Sequence, residues 1–235
     1  MPYRRLPKTD LTRLSALRIA ISKGEKDGIN NQIIPMKLQH EAKNLLMRYE
    51  QSLFDYKQSI ANQRANANKY RNNTKLARLY LSHFIQVVNL AIIRGELKKS
   101  VKSFYGLDED ADNVPNLSSD KLLLAWGEKI ITGESERTKH GSAPIYNPNI
   151  AKVKVYYDIF KENQTEQAMF LKNIKYYAGI LKDLRDKCDA LIFEIWNDVE
   201  AQFINLPWHE RIKKCSEYGL IYYLRRGEDM DNLTS

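Results

Sequence analysis

Four histidines and two cysteines are the side chains here best suited to hold a metal, and their spacing works against it. A di-iron carboxylate site in a helical protein needs a Glu three residues before each of two histidines. That position holds Lys37, Tyr80, Arg137 and Leu206, ahead of His40, His83, His140 and His209. Cys188 and Cys215 form no CxxC pair, so zinc-ligand spacing is missing as well. His209 and Cys215 lie near each other in sequence but would need distant partners. The phosphate-loop, dinucleotide and nucleophile-elbow patterns are absent. Asp183, Asp186 and Asp189, and Glu194 with Asp198, recur at helical steps. Such spacing suits a solvated helix face; a general acid–base pair also needs a cleft. No cofactor, metal or catalytic residue is therefore expected.

Two other groups of residues can do binding chemistry. Arg64, Lys69, Arg71, Lys75 and Arg78 cluster with Tyr70 and four asparagines interleaved, and no acidic residue stands between Asp55 and Glu96. Lys and Arg neutralise phosphates, Asn hydrogen-bonds bases or backbone, and Tyr stacks. The same residues serve equally as a solvated tip or as a surface that docks an acidic partner. The second group lies in the uncharged stretch 79–93, LYLSHFIQVVNLAII. Ser82, Gln86 and Asn89, spaced four and three, share one helix face, with His83 nearby. Apolar residues sit all round this helix, which predicts burial on most sides. A buried polar stripe then forms an interhelical hydrogen-bond network or lines a small-molecule pocket. At 15 residues with four polar side chains, the stretch is short of the ~20 apolar residues of a membrane span.

Long helices must carry these groups. Ten Gly and seven Pro in 235 residues leave room for uninterrupted helices and disfavour an all-β fold. Thr9 or Asp10 caps a first helix that Gly24 and Gly28 close, followed by a polar turn over 24–34. Pro35 opens the second. Ala42, Leu46, Tyr49, Leu53, Tyr56 and Ile60 form a heptad seam that fades into QRANANKYRNNTK, residues 63–75, expected as a hairpin tip or short loop. The central helix ends near Gly95. An acidic connector, GLDEDADNVPN, leads to a helix capped by Ser118, Ser119 or Asp120. After the loop 140–149 a second seam runs from Ile150 through Val153, Tyr157, Phe160, Gln164, Gln167, Leu171, Ile174 and Ala178 to Leu181. A sharp bend is expected near 182–187, then a helix carrying Cys188, Leu191, Ile195, Val199 and Phe203. Pro207 opens a short final helix, and residues 220–226 read as a strand whose expected partner is the N-terminal PYRRLP. The tail 227–235 is expected to be flexible.

The predicted fold is all-α: one helical-bundle domain over 1–235, built from two long antiparallel helical hairpins at about 36–95 and 148–205. A short C-terminal strand pairs with an extended arm at 1–8.

The stretches PYRRLPKTD, YLSHFIQVVNLAIIRGE, PIYNPNIAKV and GLIYYLRRG, in that order, resemble a family of bacterial all-helical proteins with no assigned role. The resemblance covers most of the chain in pattern and order. It implies a helical bundle and carries over no functional residue.

Net charge is +8, split unevenly: residues 1–105 hold 20 Lys and Arg against 7 Asp and Glu, and 106–235 hold 17 against 22. The basic half suits a polyanion, or an acidic surface on another protein or another copy of the chain. No secretory signal is expected at the basic N-terminus, and two unpaired cysteines fit a reducing cytoplasm. The expectation is a cytoplasmic, non-enzymatic bundle acting through protein contacts or self-association. Nucleic-acid binding at 63–78 and a small-molecule pocket by Ser82, His83, Gln86 and Asn89 are the alternatives.

Overall fold

The computed structural model describes residues 3–28 and 31–223, and it is all-α apart from one two-stranded ribbon. Strand β1 (Tyr3–Arg4) precedes α1 (Asp10–Asp27) and α2 (Met36–Ile93). A 3-10 helix (Lys99–Tyr105), α3 (Asp120–Lys139), α4 (Ile150–Gln202), α5 (Trp208–Ser216) and β2 (Tyr222–Tyr223) follow. The expected tail at 227–235, residues 224–226 of the expected strand and the first two residues of the arm lie outside the described residues.

The termini of these helices follow from local chemistry. Thr9 caps α1 through a reciprocal exchange with Thr12. Ser119 accepts from the Leu122 N–H at the start of α3, and Asn149 accepts from the Lys152 N–H at the start of α4. Gly28 and Gly95 sit at positive φ just past α1 and α2, where a side chain would be strained. Gly24, expected to close α1, lies inside it against Gln39 and Ile34.

Two expected interruptions are absent. Residues 63–75 continue α2 as helix, and 182–187 continue α4. Each expected hairpin is one helix, of 58 and 53 residues. The polar stretch contains no Pro or Gly, and both of its flanks already form helix. Extending through poor helix formers costs only tenths of a kcal/mol per residue, whereas a new turn would require two new ends.

The chain divides into two compact units, residues 1–59 with 173–235, and residues 60–172. In the first, α1, the start of α2, the end of α4 and α5 enclose a core of Leu17, Tyr49, Leu184, Cys188, Trp196 and Val199, among others. Asp10 ties its helices together. It accepts from Tyr49 Oη at 2.7 Å and from Arg185 Nε and Nη2 at 2.7 and 2.8 Å. Arg13 makes a two-point contact with Asp189, both at 2.7 Å. The ribbon is antiparallel, with Tyr3 opposite Tyr223 and Arg4 opposite Tyr222, so the N-terminal arm is the strand's partner as expected. It docks on α4 through Glu200, which accepts from Arg4 and from Tyr222. Both cysteines are free and buried.

In the second unit, Phe84, Ile85, Val88, Leu123, Ile130 and Phe160 lead the core. Here α2 and α4 run in opposite senses, with Tyr70 stacked on Phe160 and Tyr80 on Tyr156. Gly127 lets α3 meet Tyr157; a Cβ there would lie 2.2 Å from its ring. Gly133 lets the 3-10 helix approach α3, since a Cβ would sit 2.4 Å from the Phe104 carbonyl. Leu171, expected in the seam, is exposed, while Gln164 and Gln167 are half-buried.

Candidate interaction surface

With α2 unbroken, the basic residues occupy faces of a helix rather than a tip. Arg64, Arg71, Lys75 and Arg78 step by seven, four and three and share one face. Lys69 points elsewhere around the helix. Two of the six candidates are committed to the fold. Tyr70 donates to Asp120 and stacks on Phe160; burial first, then the Asp120 bond, push its hydroxyl up to about 12. Arg78 donates to the Leu117 and Ser118 carbonyls at 2.8 and 3.0 Å. Arg64, Lys69, Arg71 and Lys75 are exposed. A groove of about 370 Å³ runs past Gln63, Tyr70, Arg71, Lys75, Arg78 and Gln167, and the buried Oε1 of Gln167 has no hydrogen-bond partner among the described residues.

The expected buried polar stripe is not formed. His83 and Gln86 are exposed, and Ser82 is half-buried, bonded to the Leu79 carbonyl of its own helix at 3.0 Å. Of the four only Asn89 is buried; it donates to the Asp112 carbonyl at 2.9 Å, and its Oδ1 has no partner among the described residues. The nearby groove of about 370 Å³ is lined by Val87, Ala91, Arg94 and the loop at 143–147, not by Gln86 or Asn89. The four residues therefore line no common pocket.

The reason lies in the faces of α2. Leu81, Phe84, Ile85, Val88 and Ile92 face the core of this unit. Leu76, Leu79, His83, Gln86, Leu90 and Ile93 step three and four along the opposite face. Leu79 is 58% exposed, Leu90 49% and Ile93 65%, with Leu76 at 36%. Apolar residues all round the helix predicted burial all round, but one copy of the chain covers only one side. The outward residues form a heptad-spaced apolar stripe with a polar middle, the pattern of a helix–helix contact. Leu76, Leu79, Leu90 and Ile93 were not singled out from sequence. Their signal is present in the same three–four spacing, masked because Leu81, Ile85 and Ile92 are just as apolar.

Charged groups beside the stripe are largely fixed. Arg94 pairs with Glu96 at 2.6 Å. Lys102 is fully buried and donates to the Glu109 and Ala111 carbonyls and to Asp112, at 3.1, 3.0 and 2.9 Å. Its ammonium organises the acidic connector as a bound cation would. In α3, Glu134 and Arg137 are fully buried. Glu134 accepts from Arg137 Nε and Nη2, from Tyr105 Oη and from the Ile145 N–H, and Arg137 also donates to the Ala143 carbonyl. This ties the 143–145 loop to α3. The pair was missed because a Glu and an Arg three apart on a helix usually mark a surface ion pair.

Among the described residues no three His, Cys, Asp or Glu side chains are grouped to hold a metal. Asp183, Asp186 and Glu194 are exposed, and Asp189 is engaged by Arg13. Helix α2 contains an 18-residue window with mean hydropathy 1.5, long and apolar enough by composition to cross a bilayer; 39% of it is buried. The chain matches no family model, no curated protein sequence and no solved structure.

Proposed function

We propose that this chain is a non-enzymatic helical protein that works through protein contacts, and that the outward stripe of α2 is its contact face. One observation carries the reading: four large apolar side chains at heptad spacing stand opposite the core face of the same helix. Large apolar side chains gathered on one exposed face mark a binding face, and an amphipathic helix is a common docking element. On this reading the protein works in the reducing cytoplasm, where its two buried thiols stay free.

The test is site-specific photo-crosslinking in cells. A photo-reactive amino acid replaces Leu79 or Leu90, with exposed Thr165 on α4 as control. The reading expects protein adducts from positions 79 and 90 and none from 165. Adducts absent from both stripe positions, with the protein folded and abundant, would sink it.

A second reading, nucleic-acid binding, is favoured by the groove beside Arg71 and Lys75. It needs Arg64, Arg71 and Lys75 together, since Lys69 lies on another face and Tyr70 and Arg78 are committed. Binding to mixed single- and double-stranded DNA and RNA should then fall steeply with salt. It should also vanish when Arg64, Arg71 and Lys75 become Glu. Binding untouched by that triple change rules the reading out.

A further inference from the structure

The groove between α2 and α4 in the second unit collects cations that its own lining does not balance. Arg71, Lys75 and Arg78 step four and three along α2, so they stand on one wall. Among the described residues no carboxylate lines the groove. Two acids lie near lining residues. Asp120 already accepts from the Tyr70 hydroxyl. Glu166 precedes Gln167 and is turned about 100° from it around α4.

The cations differ in how far they are set in place. Arg78 is held by bonds from Nε and Nη2 to the Leu117 and Ser118 carbonyls, at 2.8 and 3.0 Å. Its guanidinium is fixed before a ligand arrives, with Nη1 uncommitted, so binding to it orders little further. Arg71 and Lys75 are exposed and unpaired among the described residues, free to turn onto an anion. From the α4 side Gln167 brings its buried, unpartnered Oε1 to the groove. A ligand supplies the missing partner: the carboxamide accepts from a ligand O–H or, turned over, donates to a phosphate oxygen.

Charge and size narrow the ligand. Guanidinium and ammonium groups together match the oxygens of a phosphate, and a phosphate monoester carries about −1.5 to −2 charge near neutral pH. The groove, at about 370 Å³, falls within the ~300–1,000 Å³ of small-molecule sites. That leaves space for an organic part beside Ala67 and Tyr70.

We infer that this groove binds a phosphate monoester, with its phosphate on Arg71, Lys75 and Arg78 and its organic part beside Gln167 and Tyr70. The inference goes beyond the contact reading, which rests on Leu76, Leu79, Leu90 and Ile93. It differs from the nucleic-acid reading in needing neither Arg64 nor a polymer.

Calorimetric titration of the full native chain with phenyl phosphate and glycerol 3-phosphate, at fixed ionic strength, tests it. At least one should bind, and phenol and glycerol should not. Arg71→Gln with Lys75→Gln should weaken binding at least ~10-fold, because two charge-assisted hydrogen bonds are lost. Lys98→Gln with Lys99→Gln, exposed cations outside the groove, should leave it unchanged. Vesicles of phosphatidic acid in phosphatidylcholine separate the two sources of such a phosphate. Co-sedimentation that the groove variant abolishes, without soluble binding, assigns a lipid headgroup and upholds the inference. Vesicle binding that survives the groove variant, without soluble binding, overturns it. So does a native chain that binds neither monoester nor vesicles at millimolar phosphate. Equal losses from the two double variants would mean unspecific attraction and overturn it as well. A single-stranded oligonucleotide that binds while no monoester or vesicle does would overturn it and leave the nucleic-acid reading standing.

Discussion

Glu134 and Arg137 are charges that the fold cannot lose singly. Burial alone would raise the Glu134 carboxyl. The Arg137, Tyr105 and Ile145 hydrogen bonds outweigh that and hold it below the usual carboxylate range. Because the folded value lies below the unfolded one, this contribution to stability is fully present above the ordinary Glu range of ~4.3. It is lost as pH falls through the lowered folded value. Chemical denaturation at stepped pH should therefore show stability declining on acidification, and Glu134→Gln should flatten that decline. Each of Glu134→Gln and Arg137→Met should cost about 3–5 kcal/mol near neutral pH, since each leaves a buried partner unmatched. The double change should cost clearly less than the sum, because the two share one interaction. Additive losses would mean that the groups do not act as a pair. None of this was legible in the sequence, where GESERTK reads as a polar helix end. The burial comes from Tyr105 and the 143–145 loop, which meet α3 only in three dimensions.

Element ends were the most legible feature, because caps are local. Thr9 and Ser119 cap their helices as expected, Pro207 stands before α5, and Gly95 follows α2 at positive φ. Continuity was less legible. The run 63–75 lost its apolar period and looked like a turn, yet Tyr70 packs on the second unit's core and Thr74 is buried, while Arg64, Lys69, Arg71 and Lys75 are exposed on an unbroken helix. Limited trypsin digestion of the native chain separates the two cases. Arg64, Lys69 and Arg71 are exposed but helical, so cleavage there should be slow compared with cleavage in exposed loops. Fast cutting at these sites would restore the expected tip. Two glycines inside helices give a contrasting pair. Gly127→Ala drives a methyl into the Tyr157 ring and should destabilise by about 1–3 kcal/mol. Gly179→Ala meets nothing within 4 Å and should stabilise α4 by up to ~1 kcal/mol. Equal thermal shifts for the two would contradict the packing of α3 against α4.

At the scale of the whole molecule, the all-α class was legible from periodicity and from the scarcity of Gly and Pro. The ribbon closing the chain onto its N-terminal arm was legible as well. The candidate site was legible only in part. The sequence marked α2 as special, but an apolar pattern on every side does not say which side this chain covers. The structure covers the Leu81, Ile85 and Ile92 side and leaves Leu76, Leu79, Leu90 and Ile93 outward. The most direct test of the contact face is photo-crosslinking in cells from position 76, in the otherwise native chain beside a Leu79→Glu, Leu90→Glu double variant. Both positions are exposed in the single chain, so the variant should keep the native circular dichroism spectrum. The otherwise native chain should give protein adducts. The double variant should give none, because the contact would bury two carboxylates without partners. Equal adduct yields from the two chains would contradict the account.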